Sequence, residues 1–475
     1  MSNQMLAEKP VPDPAPESEK KPPGFLDRTI GNLKRAWKGI AGTGYDASAA
    51  SSRPDLPEDD LEKLREQMRD CLEIKGGEVS ARSRAAALGH VYLALDSGGK
   101  ERFLRVLAND FDIDPGPVDV AADELRRTQD RNAKRSAQAL LKKSLEAPWI
   151  KLLTQFNALP DGVKFLVDMR AKILALELDE PSMKALEQDL KDLLTTWFDV
   201  DFLELRRITW DNASAALLEK LIAYEAVHAI DGWDDLKNRL DSDRRCFAYF
   251  HPRMPDEPLI FVEVALVNGL ADNIQALLDG DAPVQDSAKV DTAIFYSISN
   301  AQKGLAGISF GNFLIKRVAE TLSAEFKGLK AFATLSPVPG FMTWLNKTLA
   351  EGEPKLLTGG ERKSLSAAVG KAAGGKGTLK SLLANPEWHR NLTMSEALRG
   401  PLLRLCSRYL MEEKGLNMRA LDPVAHFHLS TGARMESLNW KGDLSHRGLK
   451  NSAGIMINYL YDLNRVEDNH EAYTS

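Results

Sequence analysis

Residues 291–336 read DTAIFYSISNAQKGLAGISFGNFLIKRVAETLSAEFKGLKAFATLS. DTAIFYSIS is rich in β-branched and aromatic residues, a strand composition. A glycine-bearing stretch follows, and then NFLIKRVAETLSAEF (312–326), in which Leu314, Val318, Leu322 and Phe326 recur every four residues. That spacing predicts an amphipathic helix. LKAFATLS (329–336) is again strand-like. Strand, glycine loop, helix, strand is a βαβ unit with parallel strands, and its ligand edge lies at the carboxyl ends of those strands. Ser336 and the loop containing Gly304, Gly307 and Gly311 therefore open onto one crevice.

Upstream, RCFAYFH (245–251) and EPLIFVEVALV (257–267) predict two antiparallel strands, with PRMPD between them as the turn. Downstream, residues 361–418 are helical with glycine-rich interruptions, and 424–430 alternates toward strand. From about Asp55 to Phe198 the chain is helical nearly throughout. Leu61, Leu64, Met68 and Leu72 mark one such face. The expected architecture is α+β. Residues 1–50 form a Pro-rich disordered tail, 51–197 a helical bundle for support or association, and 198–475 a mixed α/β domain. The tail rests on six prolines in the first 24 residues.

The net charge of 62 − 68 = −6 supplies no bulk basic field, so no nucleic-acid partner is expected. The three cysteines, Cys71, Cys246 and Cys406, are far apart, with no disulfide framework and no CxxC metal or redox signature. No apolar run reaches the roughly 18 residues of a membrane span. The first residues carry acids and no arginine, unlike a mitochondrial presequence. A cytoplasmic protein without membrane association is expected.

Glycines before a helix N-terminus suit a phosphate or pyrophosphate, because backbone N–H groups approach closely and the helix end is partly positive. Lys303, Lys316 and Arg317 are near enough in sequence to add charge. The spacing matches neither GxGxxG nor GxxxxGK[ST], and a plain strand-to-helix turn has the same composition. Ser336 precedes Pro337, a common turn pattern, and stands in no GxSxG elbow. In LDPVAHFHL (421–429), His426 and His428 would face one side of a strand, where they could share a metal, pack, or move a proton. Asp422, Glu436 and Asp443 are the nearby carboxylates, and none has a persuasive ligand spacing, so no metal is expected. Glu225, His228 and His251 read as structural hydrogen-bonding groups, and Tyr459 and Tyr461 as packing residues.

Five separated blocks together resemble malonyl-CoA decarboxylases. They are RRCFAYFHPRMPDEPLIFVEVAL, FYSISNAQKGLAGISFGNFLIKRV, ATLSPVPGF, DPVAHFHLSTGARMESLNW and LKNSAGIMINYLYDLNRVEDNHEAY. The resemblance implies an N-terminal helical domain, a C-terminal domain of the GNAT acyltransferase fold, and a homo-oligomer, a tetramer. It implies conversion of malonyl-CoA to acetyl-CoA and CO2 through an enolate, with no cofactor beyond the CoA thioester substrate itself. The CoA pyrophosphate loop maps to Ala306, Gly307, Ile308, Ser309, Phe310, Gly311 and Asn312. The catalytic serine maps to Ser336 and the catalytic histidine to His428, while His426 lies outside the motif. Ser309 departs from the pattern, standing where some members carry an acidic residue. An acyl-CoA-dependent acyltransferase or a non-enzymatic CoA-binding scaffold would share the same loop.

Overall fold

A computed structural model describes residues 25–41, 53–73, 77–177, 179–241, 243–286, 289–308, 314–353, 355–369 and 377–475. The first half is helical: α1 (Phe25–Ala41), α2 (Glu58–Leu72), α3 (Glu78–Ala94), α4 (Ser97–Asp110), α5 (Pro115–Arg127), α6 (Arg131–Ser144), α7 (Pro148–Asn157), α8 (Gly162–Ala175) and α9 (Pro181–Trp197). The predicted face of α2 is the buried one, through Leu61, Leu64 and Met68.

The second half is built on an eight-stranded mixed sheet: β1 (Glu204–Ile208), β2 (Arg244–His251), β3 (Met254–Val267), β4 (Thr292–Asn300), β5 (Ala331–Thr334), β6 (Ser336–Pro337), β7 (Arg434–Asn439) and β8 (Met456–Leu460). The order is β1-β2-β3-β4-β5-β8-β6, with β7 also on β8. β4 and β5 are parallel and the remaining pairs antiparallel. The helix Leu314–Glu325 joins the parallel pair and buries Leu314, Val318 and Leu322, as the four-residue recurrence predicts. This is the α+β architecture expected, a helical region followed by a mixed α/β domain.

Every residue of β2 is buried, because both faces of the sheet are covered. Cys246, Ala248 and Phe250 pack with Leu218, Leu221 and Leu236 from the helices Ala215–Tyr224 and Trp233–Arg239. Phe247 and Tyr249 point the other way, into a core continuous with the leucines of α4, α8 and α9.

Three expectations are corrected. Residues 424–430 are not strand but lie within a helix, Pro423–Ser430. The turn after β2 is shorter than PRMPD, since Met254 to Asp256 already belong to β3 and only Pro252 and Arg253 turn. The Pro-rich tail does not run to residue 50, because Phe25–Ala41 is a helix whose Leu33, Trp37 and Ala41 are buried. Their spacing of four and four is a helical face, and it outweighs the flanking prolines, which all lie before Phe25.

Candidate functional site

Ser336 opens β6, at the carboxyl end of the parallel pair, where β6 pairs with Ile457 and Met456 of β8. Its buried Oγ donates to Thr334 Oγ1 at 2.8 Å and lies 3.0 Å from His428 Nε2. The two residues are 92 positions apart in sequence and meet because the histidine's helix docks on the turn after Ser336. Asp422 makes that docking. Its Oδ1 caps the helix by accepting from Val424 N and Ala425 N, both at 3.0 Å, and Pro423 occupies the first turn. Its Oδ2 accepts from Gly340 N and the Tyr409 hydroxyl, both at 3.3 Å. Gly340 is required there, since a Cβ would lie 2.1 Å from the Tyr409 hydroxyl oxygen.

The imidazole of His428 is 3 % exposed. Its Nδ1 is 2.8 Å from the Tyr461 hydroxyl, which is 2.8 Å from Thr431 Oγ1. The ring of Tyr459 stacks on it at 4.5 Å and 24°. Ser336 spends its one proton on Thr334, so the bond to His428 has Nε2–H as donor and Ser336 Oγ as acceptor. Burial keeps the ring neutral, so with Nε2 protonated Nδ1 accepts from Tyr461, whose oxygen accepts in turn from Thr431 Oγ1. Desolvation pushes the His428 pKa down to about 3 and raises that of Tyr461.

In a helix, residues two apart point about 200° from one another, so His426 and His428 cannot share a metal. His426 turns instead to the Tyr473 hydroxyl, 3.0 Å from its Nδ1. No cluster of three or more His, Cys, Asp or Glu with metal-binding geometry is present among the described residues.

Ser336 and His428 line a cavity of about 240 Å³ with Val227, Phe295, Ile298, Val424 and Phe427. The lining is mostly apolar, and Asn300, Tyr296 and the hydrogen-bonded pair supply its polar groups. Tyr459 and Tyr461, read from sequence as packing residues, both contact the histidine. Their spacing of two, which sends both side chains of NYLY to one side of an extended chain, was the available signal. His251 bonds to the carbonyl of Trp197 as a structural group. Glu225 accepts from Ser297 and Ser299 on β4.

The glycine loop divides. Gly304 is a packing glycine: a Cβ there would lie 1.8 Å from the Val167 carbonyl oxygen of α8, and Gly304 O accepts from Arg170. Gly307 has φ +75°, and Lys191 of α9 approaches it, with Nζ 3.6 Å from where a Cβ would stand. Lys191 is a cation that proximity in sequence gave no way to find. Lys316 pairs with Glu467, and Arg317 lies over the Tyr249 ring. Ala306 and Gly307 are exposed and Ile308 buried, while Ser309, Phe310, Gly311 and Asn312 lie outside the described residues.

A family model described as the malonyl-CoA decarboxylase C-terminal domain matches residues 201–475, and one described as the N-terminal domain matches 111–198. The chain is 38 % identical over 411 residues to the malonyl-CoA decarboxylase, mitochondrial, of Anser anser anser, covering 83 % of this chain and 80 % of that one. The chain belongs to the malonyl-CoA decarboxylase family. It is 36 % identical over 476 residues to the Mus musculus protein of the same name, covering 96 % of this chain and 92 % of that one. The solved malonyl-CoA decarboxylase from Rhodopseudomonas palustris superposes with a TM-score of 0.78 at 40 % identity, covering 87 % of this chain and 95 % of that one. As a malonyl-CoA decarboxylase family member, the chain is an enzyme of the carboxy-lyase class.

Proposed function

We propose that this carboxy-lyase converts malonyl-CoA to acetyl-CoA and CO2 with Ser336 and His428 as its catalytic pair. The observation that carries the reading is the 3.0 Å contact between His428 Nε2 and Ser336 Oγ in the lining of a mostly apolar cavity. Loss of CO2 from a malonyl thioester leaves an enolate, and the barrier is mostly the cost of that charge. A hydrogen-bond donor aimed at it contributes a few kcal/mol, more where water is excluded. Nε2–H is such a donor. As CO2 departs, the carbon takes the Nε2 proton, and Tyr461, hydrogen-bonded at Nδ1, returns one to the ring, so no free imidazolate forms. Ser336 orients the acyl group between Nε2 and Thr334, and solvent restores the proton. No step calls for a metal or a prosthetic group.

Residues Ala306 to Asn312 hold the CoA pyrophosphate in this reading. The left-handed backbone at Gly307 and the nearby Lys191 support it, since a bare backbone and a cation suit a diphosphate. A homo-oligomer, a tetramer, is proposed. The antiparallel pair α5–α6 supports association, because Ala121 and Ala137 are its only buried residues while Val120 and Leu140 are exposed. Light scattering on the purified protein should give the mass of four chains. A cytoplasmic location is also proposed. Relatives from goose and mouse are mitochondrial by name, and fractionation of the source cells distinguishes the two.

The test of function is incubation of purified, chelator-treated protein with malonyl-CoA alone. Equimolar CO2 and acetyl-CoA are expected. Turnover that begins only when an acyl acceptor is added would point to an acyltransferase instead.

A further inference from the structure

We infer that Val227 sets the size of the substituent that C2 of the substrate can carry, and that Glu225 is the positioning residue that holds it there. The inference rests on the decarboxylation reading above. A carbon placed to take the Nε2 proton of His428 lies inside the cavity, so whatever else C2 carries meets the apolar lining. Phe295 and Ile298 of that lining sit on β4, and Val424 and Phe427 on the helix that carries the histidine. Val227 differs, because it is carried by the irregular segment between the helices Ala215–Tyr224 and Trp233–Arg239.

Loops of this kind are ordinarily mobile and make poor walls. This one is fixed on both sides of Val227. Glu225 Oε1 accepts from Val227 N and His228 N, both at 2.8 Å, and each carboxylate oxygen accepts from Ser297 Oγ at 2.8 Å. Oε2 also accepts from Ser299 Oγ at 3.0 Å, and Ala226 N donates to that same hydroxyl at 3.1 Å. Arg447 donates to the Ala226 carbonyl. Arg239 donates to the carbonyls of His228 and Ala229 at 2.9 and 3.0 Å, and is itself held by Asp235 and Glu263. Ser297 and Ser299 are on β4, the strand that supplies Phe295 and Ile298, so the loop is registered to a strand that lines the same cavity. A carboxylate that accepts from Val227 N, His228 N, Ser297 and Ser299 is a device for placing one valine.

The experiment compares kcat/KM for malonyl-CoA and for its 2-methyl homologue in the wild type and in three variants. Val227→Ala removes two methyl groups from the wall and should raise the 2-methyl to malonyl ratio about tenfold or more, the discrimination a hydrophobic pocket makes for a missing methylene. Val227→Leu should lower it. Glu225→Ala removes no cavity-lining side chain but frees the loop that carries Val227, and should raise the ratio as well, which a purely structural loss would not do because both substrates would suffer alike. Malonyl-CoA turnover that persists with ratios within twofold of wild type in all three variants would overturn the inference alone. No turnover of malonyl-CoA by the wild type would overturn the decarboxylation reading and this inference with it.

Discussion

Burial sets the behaviour of the His428 side chain. Its pKa is held at about 3, against the ordinary value near 6.5, so the ring is neutral wherever the fold is intact near neutral pH. The unfolded chain binds a proton at this residue between those two values and the folded chain does not. Its contribution to stability is therefore full above about pH 6.5 and is lost as pH falls toward 3. Urea midpoints measured from pH 7 to 4 should fall, and a His428→Gln variant should lose part of that slope. His228, pushed down to about 4, contributes in the same direction and is left intact in that comparison. At Gly307 the backbone is left-handed, so Gly307→Val both strains the loop and pushes on Lys191. The expected outcome is a Michaelis constant raised about tenfold or more, with kcat within a few-fold. At this scale the sequence was most legible where five blocks supported one another: Ser336 and His428 were named from it. Tyr459 and Tyr461 escape the sequence because closely spaced tyrosines are more often packing residues than ligands. Lys191 was invisible because it reaches the loop from another part of the fold.

The element that decides the site is the helix Pro423–Ser430. Alternation of His and apolar residues over seven positions suggested a strand, but the stronger local signal was Asp422 followed by Pro423, an N-cap and first-turn pair. A cap of this kind stabilises by about 0.5–2 kcal/mol, and here the same carboxylate also accepts from Gly340 and Tyr409. Asp422→Ala should destabilise the protein by about 1–3 kcal/mol. It should also lower kcat, because the helix would no longer be registered against the turn after Ser336. Thermal unfolding and turnover of the same preparation check both. The βαβ unit was legible almost throughout, since each of its elements carries its own period. Strands β7 and β8 were not read as strands, being short and lying next to one another across a long loop-and-helix excursion.

Across the whole molecule, one continuous core joins the helical half to one face of the sheet. Trp37 of α1 is fully buried in it, stacks with Phe156, meets the Phe165 ring at a 59° tilt, and donates from Nε1 to the Pro160 carbonyl at 2.8 Å. A Cβ on Gly89 would lie 2.1 Å from its ring, so α1 and α3 pack in near contact. Trp37→Ala should cost about 3–5 kcal/mol by denaturant titration, the range for deleting a large buried aromatic. That cost is not expected of a residue in a disordered tail. Composition misleads here because six prolines dominate the first 24 residues, while the helical face after them is short, with Leu33, Trp37 and Ala41 buried and Ile30 and Ile40 partly buried.

In the proposed reaction the imidazole of His428 delivers the proton that turns the enolate into acetyl-CoA. Steady-state turnover and CoA affinity measured side by side for His428→Ala and His426→Ala test it most directly. His428→Ala should lose about a hundredfold or more in kcat with CoA binding nearly intact, while His426→Ala, whose ring turns to Tyr473, should lose far less. The reverse pattern, or near-wild-type turnover in His428→Ala, would contradict the claim.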